Sequence, residues 1–162
     1  MVYNSITEKQ KTISFERTVN VPLDTVWKAW TEPESFKKWW GPKEYTCPDC
    51  TIDFTIGGKF LASMQGGDGN KIWSTGTYKE IISHRKIVVT DSFADSKGNI
   101  VPASDYKMPG EMALELLVTV TFEEVDGKTT ISLQHEGLAA EIADDCIKGW
   151  QSSFDKLESN VK

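Results

Sequence analysis

The chain is short of basic residues. Lysine and arginine number 18 against 24 aspartates and glutamates, a net charge of −6. That balance excludes nucleic acid and anionic membrane as main partners, because both reward clustered cations. The pairs Lys37-Lys38 and Arg85-Lys86 read as solvated faces. No apolar run approaches the roughly 20 residues of a membrane-spanning helix. The polar segment Met1–Thr12 lacks the apolar core of a secretory leader, so a cytoplasmic location is expected.

Histidine occurs twice and cysteine three times, which leaves little for a metal centre. Cys47-Pro48-Asp49-Cys50 is a CxxC without a second pair, whereas structural zinc normally takes four ligands. A thioredoxin-like site would have its CxxC open a helix, and Thr51 onward reads as strand. Free thiols, no metal and no cofactor are therefore expected. A nucleophile elbow, a phosphate loop, a dinucleotide fingerprint and a His-Glu-x-x-His helix are all missing. Gly66-Gly67-Asp68-Gly69-Asn70 is glycine-rich, but it lies between strands and reads as a hairpin turn.

What is abundant is aromatic: six Trp, seven Phe and four Tyr in 162 residues. The length suits one domain over residues 1–162, with 1–12 as a flexible lead. Ile13–Asn20 alternates as a first strand. Pro22 can open a helix whose apolar face is Leu23, Val26, Trp27 and Trp30. Thr31 with Glu34 reads as a capping box for a second short helix, stopped by Gly41-Pro42. Thr51–Ile56 and Lys59–Gln65 read as a hairpin about Gly57-Gly58. Lys71–Ile82, Ile87–Phe93, Ala113–Glu124 and Thr129–Glu136 are further strands. Ala94–Met112 has no periodicity and reads as a long flap. Ala139–Val161 holds helical spacing over about six turns. Gly149, inside that helix and beside Trp150, marks either close backbone approach or ligand space, unless it is simply a tolerated weak point.

The order of elements predicts an α+β fold: a curved antiparallel sheet of six to seven strands around a long C-terminal helix. With the residues that carry it, this order resembles the helix-grip fold of the START-like (SRPBCC) superfamily. Those residues are Val26–Glu34, Trp39-Trp40-Gly41-Pro42, Asp53 with Gly57-Gly58, Gly76 with Tyr78–Ile81, His135–Leu138 and Gly149-Trp150. The branch it resembles is related to the C-terminal domain of the heat-shock-protein ATPase activator. The resemblance implies one of several functions, since members of the superfamily bind lipids, hormones, polyketides or partner proteins and some are enzymes.

Phe15, Trp27 and Trp30 are expected in the core. Trp39, Trp40, Phe54, Phe60, Met64, Trp73, Phe93, Met112, Trp150 and Phe154 are expected around a cavity, with Thr75, Thr77, Thr90 and His135 as its polar groups. Ile131, Leu133 and His135 share one face, which points inward; His135 is either a structural histidine or a pocket donor or base. Asp53, Asp144 and Asp145 are expected outward, Glu111 and Glu115 at the cavity mouth, and His84 in solvent. The leading expectation is a monomeric or homodimeric protein that binds a small hydrophobic or aromatic molecule. The alternatives are a cyclase- or hydrolase-type enzyme using the same cavity, with His135 and a carboxylate, and a module that docks on a chaperone.

Overall fold

The computed structural model, which describes residues 10–108 and 112–161, turns the alternating segments into seven strands. They are β1 (Gln10–Val19), β2 (Cys50–Ile52), β3 (Lys59–Gln65), β4 (Lys71–Ile82), β5 (Lys86–Ala94), β6 (Leu116–Val125) and β7 (Lys128–Ala139). They form one open sheet in the order β1-β7-β6-β5-β4-β3-β2, every neighbouring pair antiparallel. Helices α1 (Leu23–Thr31) and α2 (Pro33–Phe36) follow β1, and α3 (Ala143–Asn160) closes the chain. This is the α+β helix-grip arrangement.

The core lies between the inner sheet face and the helices. Val120, Ile131 and Leu133 of the sheet are sealed from solvent, as are Val26 of α1 and Phe154 and Leu157 of α3. Trp30 joins them, with its ring 5.8 Å from Phe122 and 6.1 Å from Trp150. Polar contacts fix α3 against β1 and against the Trp40–Tyr45 segment. Arg17 of β1 donates to the Gln151 carbonyl and pairs with Asp155. Lys156 donates to the carbonyls of Trp40, Pro42 and Tyr45 at 3.4, 3.2 and 2.9 Å. Burial disfavours that ammonium charge and lowers the Lys156 pKa.

Several local expectations are corrected. The capping box does not form: Thr31 ends α1 and its hydroxyl donates back to the Trp27 carbonyl at 2.9 Å. Glu32 takes the N-cap position of α2 without a side-chain bond, and Pro33 supplies the first helical residue. The N-terminus of α1 is met from a distance instead, by Glu124, which accepts from the Leu23 N–H at 2.9 Å. Strand β2 stops at Ile52, and Asp53–Gly58 is a wide turn rather than a two-residue one. Gly58 is needed there because a β-carbon would run into the Asp53 carbonyl. Strand β1 starts at Gln10, before the alternation predicts, because Gln10 and Lys11 pair with Ala139 and Leu138. The same pairing carries β7 to Ala139 and delays α3: sheet hydrogen bonds hold residues 136–139, and a short 3-10 turn, Ala140–Ile142, precedes the helix. The rest of the proposed flexible lead, residues 1–9, lies outside the described residues. His84 is not free in solvent; it stacks on Trp27, with centroids 5.2 Å apart, and lies 3.0 Å from Asp24.

The stretch 94–108 is more ordered than a flap. Ala94 bridges to Ile100 around a turn in which Asp95 accepts from the backbone of Lys97 and Asn99. A 3-10 turn, Ala103–Tyr106, follows. The Tyr106 hydroxyl donates to the Ala94 carbonyl and accepts from the Trp73 N–H at 3.2 Å, tying the segment to the ends of β4 and β5.

Candidate binding cavity

The strand register decides which side chains meet. Asp91 of β5 faces Leu116 of β6, and Val118, two residues on, faces His135 of β7. Residues two apart share a sheet face, so Asp91 and His135 stand on the same inner face although 44 residues separate them. Ile142 of the 3-10 turn, and Cys146, Gly149, Trp150 and Ser153 at helical spacing on α3, form the stripe turned toward that face. The segment Trp40-Gly41-Pro42, held by Lys156, closes one side, and Met108 and Met112 close another. The space left between them is a cavity of about 440 Å³. Gly76 lies opposite Asp91 in the β4–β5 register, and a β-carbon there would collide with the Thr90 carbonyl and the Phe60 ring. Gly149 also borders the space, and a β-carbon on it would meet only Pro42, at 3.7 Å. A side chain has room there, so close backbone approach does not require this glycine.

The wall is largely apolar, with a polar cluster where β5 and β7 meet α3. There His135, 5% exposed, has Nε2 3.1 Å from Asp91 Oδ2. The N–H does not point along that line, so Nε2 has proximity to the carboxylate without an aligned hydrogen bond. On the other side of the ring, Trp150 Nε1 donates to Nδ1 at 3.1 Å, and Cys146 Sγ lies 3.7 Å from the same nitrogen. Ser92, between Asp91 and Phe93, alternates to the other face of the sheet with Thr75 and Trp73, where it is 2% exposed and its Oγ has no partner. The Trp40 Nε1, also buried, has none.

Burial alone disfavours a charged imidazole. The Asp91 carboxylate, and then the Cys146 sulfur, favour it and prevail, so the His135 pKa is raised. The indole of Trp150 works against protonation, because it can only donate and therefore requires a lone pair on Nδ1. The arrangement shown is the neutral tautomer with its proton on Nε2. His135 is thus a strong base whose second proton must displace an indole.

Six of the residues expected around a cavity border this one: Trp40, Met64, Phe93, Met112, His135 and Trp150. Seven do not. Trp39 is sealed in the core, its Nε1 donating to the Ala29 carbonyl at 2.9 Å. Phe154 is equally sealed among Phe15, Trp30 and Trp150. Phe54 packs edge-on to Trp27 and Tyr78. Phe60 and Thr90 border a separate void of about 30 Å³ beside Tyr78. Thr75 donates to the Phe60 carbonyl at 2.6 Å, and Thr77 gives its N–H to the Thr90 hydroxyl. Trp73 alternates away from Ile72 and Ser74 and carries the Lys71 ammonium over its ring. Asp145, expected in solvent, is exposed but stands at the cavity rim; Glu115 is exposed away from it, and Glu111 lies outside the described residues.

Asp91 and Cys146 are the functional candidates that the sequence expectations did not include. Asp91 had a signal. It occupies an inward position in the series Ile87, Val89, Asp91, Phe93, where a carboxylate is out of place unless it has a role. Among the described residues no group of three or more His, Cys, Asp or Glu is placed to hold a metal ion. Cys47 and Cys50 are free thiols, pushed by burial up to about 11 and about 12.

A family model described as activator of Hsp90 ATPase homolog 1-like protein matches residues 20–162. The chain belongs to this family. No curated protein matches it. Among solved structures, a protein from Chromobacterium violaceum is 25% identical over 93% of this chain and 96% of its own, with a TM-score of 0.75. A protein from Staphylococcus epidermidis is 28% identical over 94% of this chain and 90% of its own, at 0.70. An AHSA1 protein from Silicibacter pomeroyi, 20% identical over 92% of this chain and 96% of its own at 0.71, shows the shared fold. The family contains the helix-grip sheet and closing helix described above. No helix among the described residues is long and apolar enough to cross a membrane.

Proposed function

We propose that the chain binds a small, mostly apolar molecule in the cavity between the sheet and α3. The observation that carries this reading is the cavity itself. Its volume of about 440 Å³ sits within the roughly 300–1,000 Å³ of small-molecule sites, and its lining is mostly apolar. Trp40, Phe93 and Trp150 supply flat apolar surface, worth roughly 25 cal/mol per Å² removed from water. The Asp91–His135 pair orients the ligand's polar group. The cytoplasm is the proposed setting, where the free thiols stay reduced. The test is quenching of tryptophan emission by a panel of small aromatic ketones and alcohols, in the native chain and in Gly149→Leu. Saturable quenching in the native chain, weakened in the variant, supports the reading; identical quenching in both defeats it.

A second reading is an enzyme of the cyclase or hydrolase kind, favoured by the Asp91 carboxylate beside His135. A basic imidazole held by a carboxylate inside an apolar pocket suits proton abstraction from a bound molecule. If His135→Gln turns over a discovered substrate at the native rate, that role is excluded. The family's description also points to chaperone activation; the reading for this chain would be a docking module, tested by co-purification with an Hsp90 chaperone.

A further inference from the structure

We infer that Cys146 is a nucleophilic thiol, served by His135 and Asp91, that captures small apolar electrophiles of the α,β-unsaturated carbonyl class inside the cavity. The inference rests on the cavity reading above and adds a covalent step to it.

Three cysteines differ sharply in their surroundings. Cys47 is buried near Asp49, and its thiol donates to the Asp49 carbonyl. Cys50 is half-buried, and burial suppresses ionisation of both. Cys146 stands instead on the cavity wall, half-exposed to that space, with Sγ 3.7 Å from His135 Nδ1. The opposite nitrogen of the ring lies 3.1 Å from Asp91. Thiol, imidazole and carboxylate are therefore in line, the order in which a base activates a nucleophile and a third group steadies the charge on the base.

The step balances without any further reagent. His135 Nδ1 takes the thiol proton. Sulfur forms a C–S bond to the β-carbon of the enone, and the C=C π pair moves onto the carbonyl oxygen as an enolate. The imidazolium then returns the proton to the α-carbon. One S–H bond and one π bond are consumed, and one C–S and one C–H bond are formed. The Trp150 indole competes for the same Nδ1 lone pair, so it restrains the base.

The probes are benzylideneacetone, an aromatic enone, and benzylacetone, its saturated counterpart. Intact mass with peptide mapping, and loss of the enone absorbance, read the reaction; tryptophan quenching by benzylacetone reads occupancy alone. A single adduct on Cys146 is expected, absent from Cys146→Ser, slowed by at least about tenfold in His135→Gln and accelerated in Trp150→Phe. If His135→Gln does not fold, as judged by circular dichroism, Asp91→Asn serves in its place and should slow the reaction in the same sense. Saturable benzylacetone binding with no Cys146 adduct would overturn the inference and leave the cavity reading standing. No binding by either probe would remove both. Adducts spread evenly over the three cysteines, or a rate indifferent to His135 and Asp91, would also overturn it.

Discussion

Replacing Gly149 by alanine should make the protein more stable and the cavity smaller. In a helix interior glycine costs about 0.8–1.0 kcal/mol relative to alanine, through backbone entropy and exposed peptide. That gain is realised only if the new methyl finds room. Here it does: the nearest heavy atom to a β-carbon at this position is Pro42 Cγ at 3.7 Å, an ordinary van der Waals distance, and the backbone of Gly149 has no left-handed φ to strain. The expected gain is therefore about 0.8–1.0 kcal/mol in denaturant unfolding. For a domain of this size it corresponds to about 2–4 °C in melting temperature. The methyl points into the cavity, so binding of benzylacetone, read by tryptophan quenching, should weaken in the same variant. Stability and binding move in opposite directions, which neither a packing defect nor a global loosening would produce. A Gly149→Ala chain that unfolds at lower denaturant would refute the reasoning, because it would mean that the space beside Gly149 is filled.

Three further outcomes follow from the same contacts. Phe154→Ala should cost about 3–5 kcal/mol in chemical denaturation, since the ring is sealed among aromatic neighbours; a cost near that of an exposed site would show that the ring is not core. Lys156→Met should lose about 1.5–3 kcal/mol, because three carbonyls of the Trp40–Tyr45 segment lose their charged donor, and proteolysis near that segment should rise; unchanged melting and protease resistance would contradict it. The His135 pKa is raised in the folded state, so its charged form adds stability below the ordinary histidine value of about 6.5, and that stability disappears as pH climbs through the folded value. Asp91→Asn should lower the His135 titration midpoint seen by NMR and narrow the native-minus-variant stability difference as pH rises; an unmoved midpoint would show that Asp91 does not govern the ring.

The sheet and its closing helix were legible because both rest on periodicity. Alternation found β3, β4 and β5 almost to the residue, and the helical spacing of Cys146, Trp150, Phe154 and Leu157 found α3. Errors arose where a partner distant in sequence decided the matter. Ala139 opens the helical spacing, yet pairing with Gln10 keeps it in β7. Thr31 and Glu34 have the spacing of a capping box, but Pro33 already opens α2. Tyr106 looked like part of an aperiodic stretch, and only the fold brings its hydroxyl to Trp73 and Ala94. The site shows the same division. His135 was placed inward by alternation, whereas its neighbour Asp91 sits two strands away across β6, a relation that only the register reveals. Aromatic content pointed to a cavity but could not separate Trp40 and Trp150, which border it, from Trp39 and Phe154, which fill the core beside it.

The most direct test of the binding account is native mass spectrometry of the protein purified from its own cells, with Gly149→Leu prepared in parallel and both extracted under denaturing conditions. The account predicts a reproducible small apolar molecule on the native chain and its loss from the variant. The same bound mass increment on both chains, or none on either, would contradict it.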